Sequence, residues 1–382
     1  MKFRSLHKWT LGNTTDGLLF FAQRLDELLF DFSLDSFKPP ALNPPFLCVE
    51  ALSLIDDIEA GVIEATNLNH VLEELIWSVQ RDTVSKKLLD VKIESHVLLH
   101  EVPLAQKRIR LEVLSKTLNS TRYIEKCNEL TKEAIAKCCK KDIDKYARSL
   151  VTCLINIGLS KTFLYRQVKE YFFQGDVPKI TGANDVDGFL EKIYPTVHAF
   201  EVYFIVSGQI RTVHKSINGF GIEIMENVPS ALSEFATLHG FSKKEDQVFV
   251  HVSDINAFDA HAARAEAERR IETLKDLFTL FFHRNSLYWE TKTLISQCCS
   301  DRLEVIGRRR SSMEKSFDMN PVYAAKRLNW MLDNFALKFG GSFDKFNRIV
   351  DLHGICVSNE VPENQLLNLW ISLETLVPSN AT

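Results

Sequence analysis

An arginine and a histidine five residues apart, Arg348 and His353, are one candidate for catalysis in this sequence. A histidine at this spacing can move protons while the arginine steadies a phosphate, which is what cleavage of a phosphate ester requires. The same two residue types also arise as a surface arginine and a partly buried histidine without any activity. Both interpretations remain open on spacing alone.

Three consecutive arginines, Arg308, Arg309 and Arg310, follow a predicted strand. Arginine clusters on exposed turns bind phosphates, so these residues are candidates for contacting nucleic acid. The alternative is a basic loop without a ligand. Residues 107–148 are also basic, with 12 Lys or Arg against 6 Asp or Glu, but their charges alternate in sign. That alternation favours solvated helix faces over a nucleic-acid-binding face.

Two histidines one helical turn apart, His96 and His100, have the spacing of a shared metal site, with Glu94 and Glu101 beside them. A third ligand at motif spacing is missing, and the sequence contains no HExxH pattern. The sequence therefore predicts no metal site, and no motif indicates a cofactor.

Four polar residues, His251, Asp254, Asp259 and His261, cluster where a predicted strand is followed by a predicted helix. Histidine and aspartate side chains can transfer protons, so these residues could form the site of a hydrolase. An aspartate or asparagine in this position is more simply a helix N-cap, because its short side chain accepts from the free N–H groups of the first turn.

The composition is that of a globular protein, with 45% hydrophobic and 25% charged residues and a net charge of −4. The N-terminus lacks the apolar stretch of a signal peptide, and no apolar run is long enough to cross a membrane. The eight cysteines form no CxxC pair, which predicts reduced, mostly buried thiols. We therefore expect a cytoplasmic protein without a membrane partner.

Hydrophobic periodicity predicts a predominantly helical α+β fold with a helical N-terminal region, a small central mixed or antiparallel sheet and a helical C-terminal region. Helices are predicted at 17–32, 49–60, from Thr66 onwards, and at about 257–282. The stretch Lys38-Pro39-Pro40, followed by Pro44 and Pro45, predicts a turn or linker. Alternating patterns predict four strands, at 200–206, 222–224, 248–252 and 303–305.

These patterns divide the chain into three predicted domains. Residues 1–180 form a helical N-terminal region, and residues 181–312 form a small α+β domain with short strands and one long helix. Residues 313–382 are C-terminal helices. The last of them is an amphipathic helix at 362–377, with an apolar stripe that comprises Leu366, Leu369, Trp370, Leu373 and Leu376.

Residues 346–377, which include DLHGICVSNEVPENQLLNLWISLETLV, resemble the beginning of a HEPN domain of the ApeA-like branch found in bacterial phage-defence proteins. The matching helix pattern runs from Asn364 to Leu376 and includes Leu367, Trp370 and Glu374. The resemblance implies a relationship to metal-independent ribonucleases, or to inactive relatives that bind nucleic acid or act as scaffolds. In that family the catalytic arginine and histidine follow this helix, whereas Arg348 and His353 precede it.

Two hypotheses follow from the sequence. In the first, the chain is the N-terminal sensing or regulatory portion of a HEPN-type RNase-like defence protein, with the rest of the HEPN domain missing and no catalysis of its own. Its expected partners are RNA, a phage component, the missing HEPN part, or a second copy through the C-terminal helix. This hypothesis predicts an exposed apolar stripe at 362–377. In the second, the chain is a stand-alone cytoplasmic protein that interacts with proteins or nucleic acid and has no enzymatic activity, and the stripe is buried.

Overall fold

The structure is a computed structural model that describes residues 14–30, 42–89, 92–93, 97, 102–174, 177–180, 182, 185–208, 210, 221–282, 288–307, 349, 352, 355–356 and 362–376. By packing, the chain divides into two compact units, 1–307 and 308–382, which are described separately below. The predicted class, a predominantly helical α+β fold with a small antiparallel sheet, is confirmed.

The first unit begins with helices, as the 3.6-residue periodicity predicts. They are α1 Thr14–Leu29, α2 Pro44–Glu59, α3 Thr66–Arg81, α4 Thr83–Leu88, α5 Leu104–Thr117, α6 Ser120–Ala136, α7 Lys140–Ile157, α8 Lys161–Phe172 and α9 Asp185–Lys192. Two further helices, α10 Ser230–Leu238 and α11 Ala260–Phe282, accompany the sheet.

Helix α1 is the centre of the larger helical core, where it packs against α6, α7 and α8. Its residues Leu18, Phe21, Leu25 and Leu28 are fully buried. Each such side chain contributes about 1.5–3 kcal/mol when it is removed from water. A second helical core lies between α2, α3 and α5 and contains Leu47, Ile55, Leu68, Leu72, Leu75 and Leu114.

The prediction that Pro44 and Pro45 form a turn or linker is wrong, because both residues lie in the first turn of α2. The side chain of Asn43 caps this helix by accepting from the Phe46 N–H. Proline suits the first turn because the N–H groups there have no partner within the helix. The same helix ends at Glu59, and Gly61, just after the C-cap Ala60, adopts a φ of +72°, as is common for a glycine that follows a helix.

The sheet has five antiparallel strands, after a two-stranded ribbon formed by β1 Phe173–Gln174 and β2 Val177–Pro178. The strands are β3 His198–Ser207, β4 Ile222–Met225, β5 Gln247–Ala257, β6 Trp289–Gln297 and β7 Leu303–Gly307, in the order β4-β5-β3-β6-β7. All four predicted strands are present. Strand β6 was not predicted, because Leu294 and Ile295 are adjacent and its polar residues do not alternate with apolar ones.

Helices cover the two faces of this sheet. One face contains Phe200, Val202, Phe204, Val250 and Ile295 and packs against Ala263, Ala267, Ile271 and Leu274 of α11. The other face contains Tyr203, Ile205, Phe249 and Leu294, and α10 contributes Ala236 to that core. Strand β3 is therefore central and buried on both faces.

A buried arginine on α11, Arg264, joins this helix to the edge of the sheet. Its guanidinium donates to the carbonyl oxygens of Ile306, Gly307 and Thr291, and it forms an ion pair with Glu268 at 2.9 Å. The helix thereby holds β6 and β7, the two strands at one side of the sheet.

The predicted reduced, mostly buried thiols agree with the structure. All eight cysteines are free, and Cys48, Cys127, Cys138, Cys153 and Cys356 are buried. Burial raises the pKa of Cys48 and of Cys153 to about 12, so both remain protonated thiols at neutral pH.

In the second unit, helix α12, Pro362–Leu376, begins at the predicted proline. The Cys356 thiol contacts the carbonyl oxygen of Gln365 at 3.1 Å. Among the helices that the structure describes in either unit, none is long and apolar enough to cross a membrane.

Two charged residues of α1 pair with residues of the neighbouring helices α7 and α8. Arg24 donates to Asp144 of α7 at 2.7 Å, and Asp26 faces Lys169 of α8 at 3.6 Å. Burial raises the pKa of Asp26, and Lys169 opposes that shift. Folding therefore disfavours the ionised form of Asp26.

We predict that Asp26→Asn increases the free energy of unfolding at neutral pH. Because the pKa of Asp26 is raised, wild-type stability falls as the pH rises through the folded-state pKa of this residue. Asparagine does not ionise, so the variant lacks this decrease. The gain should be absent below pH 3.8 and should reach a plateau at higher pH. Urea unfolding at a series of pH values measures it.

Lys169→Met is the matched variant. Because Lys169 lowers the pKa of Asp26, its loss should leave the start of the stability decrease unchanged, extend the decrease to higher pH and lower stability at neutral pH. Asp26→Asn in that background should then recover stability. Equal unfolding curves for wild type and Asp26→Asn from acid to neutral pH would contradict this account.

Candidate functional site

A cavity of about 580 Å³ lies within the first unit, between the helical region and the sheet. Its volume is in the range typical of small-molecule sites, about 300–1,000 Å³. Helix α8, the end of α9, the start of β3, the β5–α11 junction and the β6–β7 hairpin all contribute to its walls.

Asp259 positions the helices at this cavity. Its carboxylate accepts from the backbone N–H groups of His261 and Ala262 and thereby caps α11. It also accepts from the backbone N–H of Ser160 at 2.8 Å and from the Ser160 hydroxyl at 2.7 Å. Ser160 in turn caps α8 by accepting from the Phe163 N–H. One buried carboxylate thus joins the N-termini of two helices.

A glycine allows the chain to turn tightly beside this junction. Gly158 ends α7 with a φ of +117°, a conformation that favours glycine. A Cβ atom at this position would lie 3.0 Å from the ring of Phe258, which lines the cavity. Any larger residue would therefore strain the backbone and push the Phe258 ring.

The cavity has an apolar floor and a charged rim. Leu159, Ile193, Phe200 and Ile295 line it and are buried. Charged side chains at the rim form two ion pairs, one between Arg166 and Glu304 at 3.3 Å and one between Lys192 and Glu170 at 3.6 Å. Arg302 is exposed at the same rim.

His261 lies close to these charges, and burial lowers its pKa. Asp259 and Glu304 oppose that shift, whereas Arg166 and Arg264 reinforce it. The imidazole is therefore neutral at neutral pH. The backbone N–H of His261 donates to Asp259 as part of the α11 cap.

A second polar cluster lies on the sheet face that packs against α10. The two ring nitrogens of His251 face Glu201 and Glu223, and Tyr203 stacks on the imidazole with 4.7 Å between ring centres. The Cys298 thiol contacts Glu201 at 3.7 Å. Burial raises the pKa of Cys298, and Glu201 adds to this effect. The thiol therefore stays protonated at neutral pH and is unsuited to act as a nucleophile.

The predicted cluster of His251, Asp254, Asp259 and His261 is divided between different environments. His251 contacts Glu201 and Glu223, whereas Asp259 caps α11, as the simpler interpretation predicts. Asp254 lies where the pairing of β5 with β3 shifts by one residue, and it has a φ of +57°. Arg270 holds this bulge by donating to the carbonyl oxygens of Ser253 and Asp254.

Several candidate residues from the sequence analysis lie outside the described residues. They are Arg348 and His353 of the R-x4-H pair, the three arginines Arg308, Arg309 and Arg310, and His96, His100, Glu94 and Glu101 of the histidine pair. Among the residues that are described, no three His, Cys, Asp or Glu side chains are placed to hold a metal ion.

Basic side chains of residues 107–148 contact acidic neighbours. Arg108 pairs with Asp56 and Glu59, Lys132 with Asp187, Lys137 with Glu133, and Arg148 with Asp144. These contacts are those of solvated helix surfaces with alternating charge.

The residues that resemble the HEPN pattern lie on α12. The indole N–H of Trp370 donates to Glu374 at 2.7 Å, one helical turn away. The Asn364 carbonyl accepts from the side chain of Asn368 at 2.7 Å. Leu367 is exposed beside them. Both hydrogen bonds lie on the solvent-exposed surface of the helix.

The fold and the cavity define a predominantly helical α+β protein with a site of small-ligand size. Comparison of the chain with protein-family models, with curated proteins and with solved structures gave no match. The function must therefore be argued from the geometry of the described residues.

Sequence reasoning missed the residues that line the cavity. Arg166, Gln167, His198, Gln297 and Arg302 are far apart in the chain and form no motif. Local sequence indicates only the two caps beside the cavity. Ser160 and Asp259 each precede a helical pattern, as N-cap residues do.

We predict that Asp259→Ala lowers the free energy of unfolding by about 2–4 kcal/mol. The change removes the cap of α11, worth about 0.5–2 kcal/mol, and leaves the partly buried donors of Ser160 without an acceptor. Ser160→Ala should cost less, about 1–2 kcal/mol, because the α11 cap survives. Chemical denaturation measures both.

Ser230→Ala, at an exposed position in the first turn of α10, is the control and should change stability by less than about 0.5 kcal/mol. A loss for Asp259→Ala no larger than that of the control would exclude its role in joining the two helices.

Proposed function

We propose that this chain is a sensing or regulatory region of a HEPN-type, RNase-like bacterial defence protein and that it does not catalyse RNA cleavage itself. The observation that carries the proposal is the exposed apolar stripe of α12, in the segment that resembles the HEPN pattern. The proposal includes a cytoplasmic location, with RNA, a phage component or further HEPN helices as partners.

The stripe is exposed to an unusual degree for an amphipathic helix. Leu366 is 67% exposed, Trp370 58% and Leu373 51%, and Leu369 also belongs to the exposed set. Adjacent exposed apolar side chains of this size are typical of interaction surfaces. Single exposed leucines are ordinary, but here the exposed residues repeat every three or four positions along one helix face.

The side of the helix that contains Gln365 and Ser372 is more buried than the stripe. Ser372 is only 4% exposed, and its hydroxyl donates to the carbonyl oxygen of Asn368. Gln365, whose carbonyl oxygen contacts Cys356, is partly buried. This orientation leaves the apolar stripe available to helices of a HEPN-type bundle, including those of a second copy.

The alternative, a stand-alone interaction protein whose last helix completes its own core, requires Leu366, Leu369, Trp370 and Leu373 to be buried. Their exposed fractions favour the regulatory region instead. If the chain had catalytic activity, the resemblance implies a metal-independent ribonuclease, for which Arg348 and His353 are the candidate residues.

We predict that Trp370→Glu weakens association through α12. The wild-type chain should self-associate as its concentration rises and should bind a hydrophobic dye, because the stripe is exposed apolar surface. Trp370→Glu should reduce both. Sedimentation equilibrium and dye fluorescence are the measurements.

Trp77→Glu is the matched control, since Trp77 is also exposed, at 56%, but lies on α3 beneath the guanidinium of Arg81. It should leave self-association unchanged. A wild-type chain that stays monomeric and binds no more dye than Trp370→Glu would argue against an interaction surface on α12.

A second experiment concerns catalysis. The purified chain, incubated with a transfer RNA and with a single-stranded oligoribonucleotide in the presence of EDTA, should show no cleavage above background. His353→Ala should behave identically. Cleavage by the wild type that His353→Ala abolishes would show that the chain is itself a ribonuclease and would overturn this part of the proposal.

A further inference from the structure

The cavity in the first unit contains polar side chains whose hydrogen-bonding groups no described residue satisfies. Gln167 of α8 lines the cavity and is only 8% exposed, yet its side-chain amide forms no hydrogen bond with any described residue. Gln297 of β6 and His198 of β3 also line it without a side-chain hydrogen bond in the described part of the chain. The Gln167 side chain is nearly buried, but its amide atoms are reached by solvent from the cavity and are therefore available to a ligand.

The floor of the cavity suits a flat apolar group. Phe200 and Ile295 lie on adjacent strands and are buried, and Leu159 and Ile193 close the floor from the helical side. The rings of Phe163 and Phe258 also line the cavity. Aromatic and aliphatic walls of this kind bind heterocyclic rings, and the few polar groups among them fix the orientation of the ligand.

Two arginines at the rim, Arg166 and Arg302, suit an oxyanion, and the carboxylates of Glu170, Glu191 and Glu304 surround them. Arg302 forms no ion pair with any described residue, although it lies two positions from Glu304 on the β6–β7 hairpin. Arg166 contacts Glu304 only through long hydrogen bonds of 3.3–3.5 Å. A phosphate at this point would bind the free guanidinium of Arg302 and would compete with Glu304 for Arg166.

The nearby N-termini of α8 and α11 are not expected to bind the phosphate. Asp259 already accepts from the first N–H groups of α11 and from Ser160 at the start of α8, so its carboxylate neutralises that end of the cavity. The arginine side chains at the rim are therefore the groups that would bind an anion.

We propose that this cavity binds a mononucleotide, with the base on the apolar floor and the phosphate at Arg302 and Arg166. The Gln167 amide offers one donor and one acceptor, which is the pattern that glutamine uses to recognise the edge of a base. Glu304 acts as a competitor that the phosphate must displace from Arg166. The proposal goes beyond the function proposed above and does not depend on it.

Neither part of such a ligand would use the whole site. Inorganic phosphate would satisfy Arg302 but leave the floor and Gln167 without a partner. An uncharged nucleoside would occupy the floor but leave Arg302 unpaired. Lys192 already pairs with Glu170, so we expect the phosphate to bind at the part of the rim that contains Arg166 and Arg302.

Isothermal titration calorimetry of the full chain tests the proposal with the four ribonucleoside 5′-monophosphates, with adenosine and with inorganic phosphate. At least one monophosphate should bind, more tightly than either adenosine or phosphate. Its affinity should fall as the salt concentration rises, since exposed charges are screened.

Three variants assign the contacts. Arg302→Gln should weaken binding of the monophosphate about tenfold or more, because a charged hydrogen bond is lost. Glu304→Gln should tighten binding, because the competitor for Arg166 is removed. Gln167→Leu should weaken binding about two- to tenfold and reduce discrimination among the four bases, which a change in stability alone would not do.

Arg122→Gln is the control, since Arg122 is exposed in the first turn of α6 and does not line the cavity. It should bind like the wild type. Thermal unfolding of every variant, and retained affinity in Trp370→Glu, separate loss of the site from unfolding and from the proposed role of α12.

The proposal is overturned if no monophosphate binds to the folded wild type. It is also overturned if adenosine binds as tightly as the monophosphate and Arg302→Gln has no effect, which would indicate an uncharged ligand. Equal losses in Arg302→Gln and Arg122→Gln would indicate non-specific attraction to basic side chains and would likewise overturn it.

Discussion

The carboxylate of Asp259 is the interaction on which the architecture of the first unit depends. It accepts from the first turn of α11 and from Ser160, which itself caps α8. Helix α11 covers one face of the sheet, and α8 belongs to the helical core. A single buried negative charge thus joins the two layers, and the partial positive charges of two helix N-termini compensate it.

The cavity lies beside this junction, and α8 and the β6–β7 hairpin both line it above an apolar floor. Arg264 contributes from the other side, since it binds the carbonyl oxygens of Ile306 and Gly307 and holds the hairpin on α11. Gly158 completes the arrangement by letting the chain turn against Phe258. The polar groups that face the cavity are therefore presented by rigid elements, as recognition of a ligand requires.

The two surfaces to which we assign function differ in chemistry. The cavity combines an apolar floor with unpaired hydrogen-bonding groups, which suits a small polar molecule. The stripe on α12 is apolar and extended along a helix, which suits other helices. They belong to separate compact units, and each proposal is argued from its own unit.

Local patterns were sufficient to predict most elements. Helical periodicity indicated α3 and α11, and alternation indicated β3, β4, β5 and β7, because each depends on residues within one segment. They failed at Pro44 and Pro45, where proline occupies a first turn, and at β6, whose buried residues do not alternate.

The sequence by itself determined the fold class and the apolar stripe of α12, since both follow from the spacing of apolar residues along one segment. Only the tertiary structure decided which face of α12 is exposed and which residues form the cavity. Gln167, Arg302 and Glu304 line the same cavity because the fold brings α8 and the β6–β7 hairpin, which are distant in the chain, to its walls. That proximity depends on contacts between segments, and no local spacing encodes it.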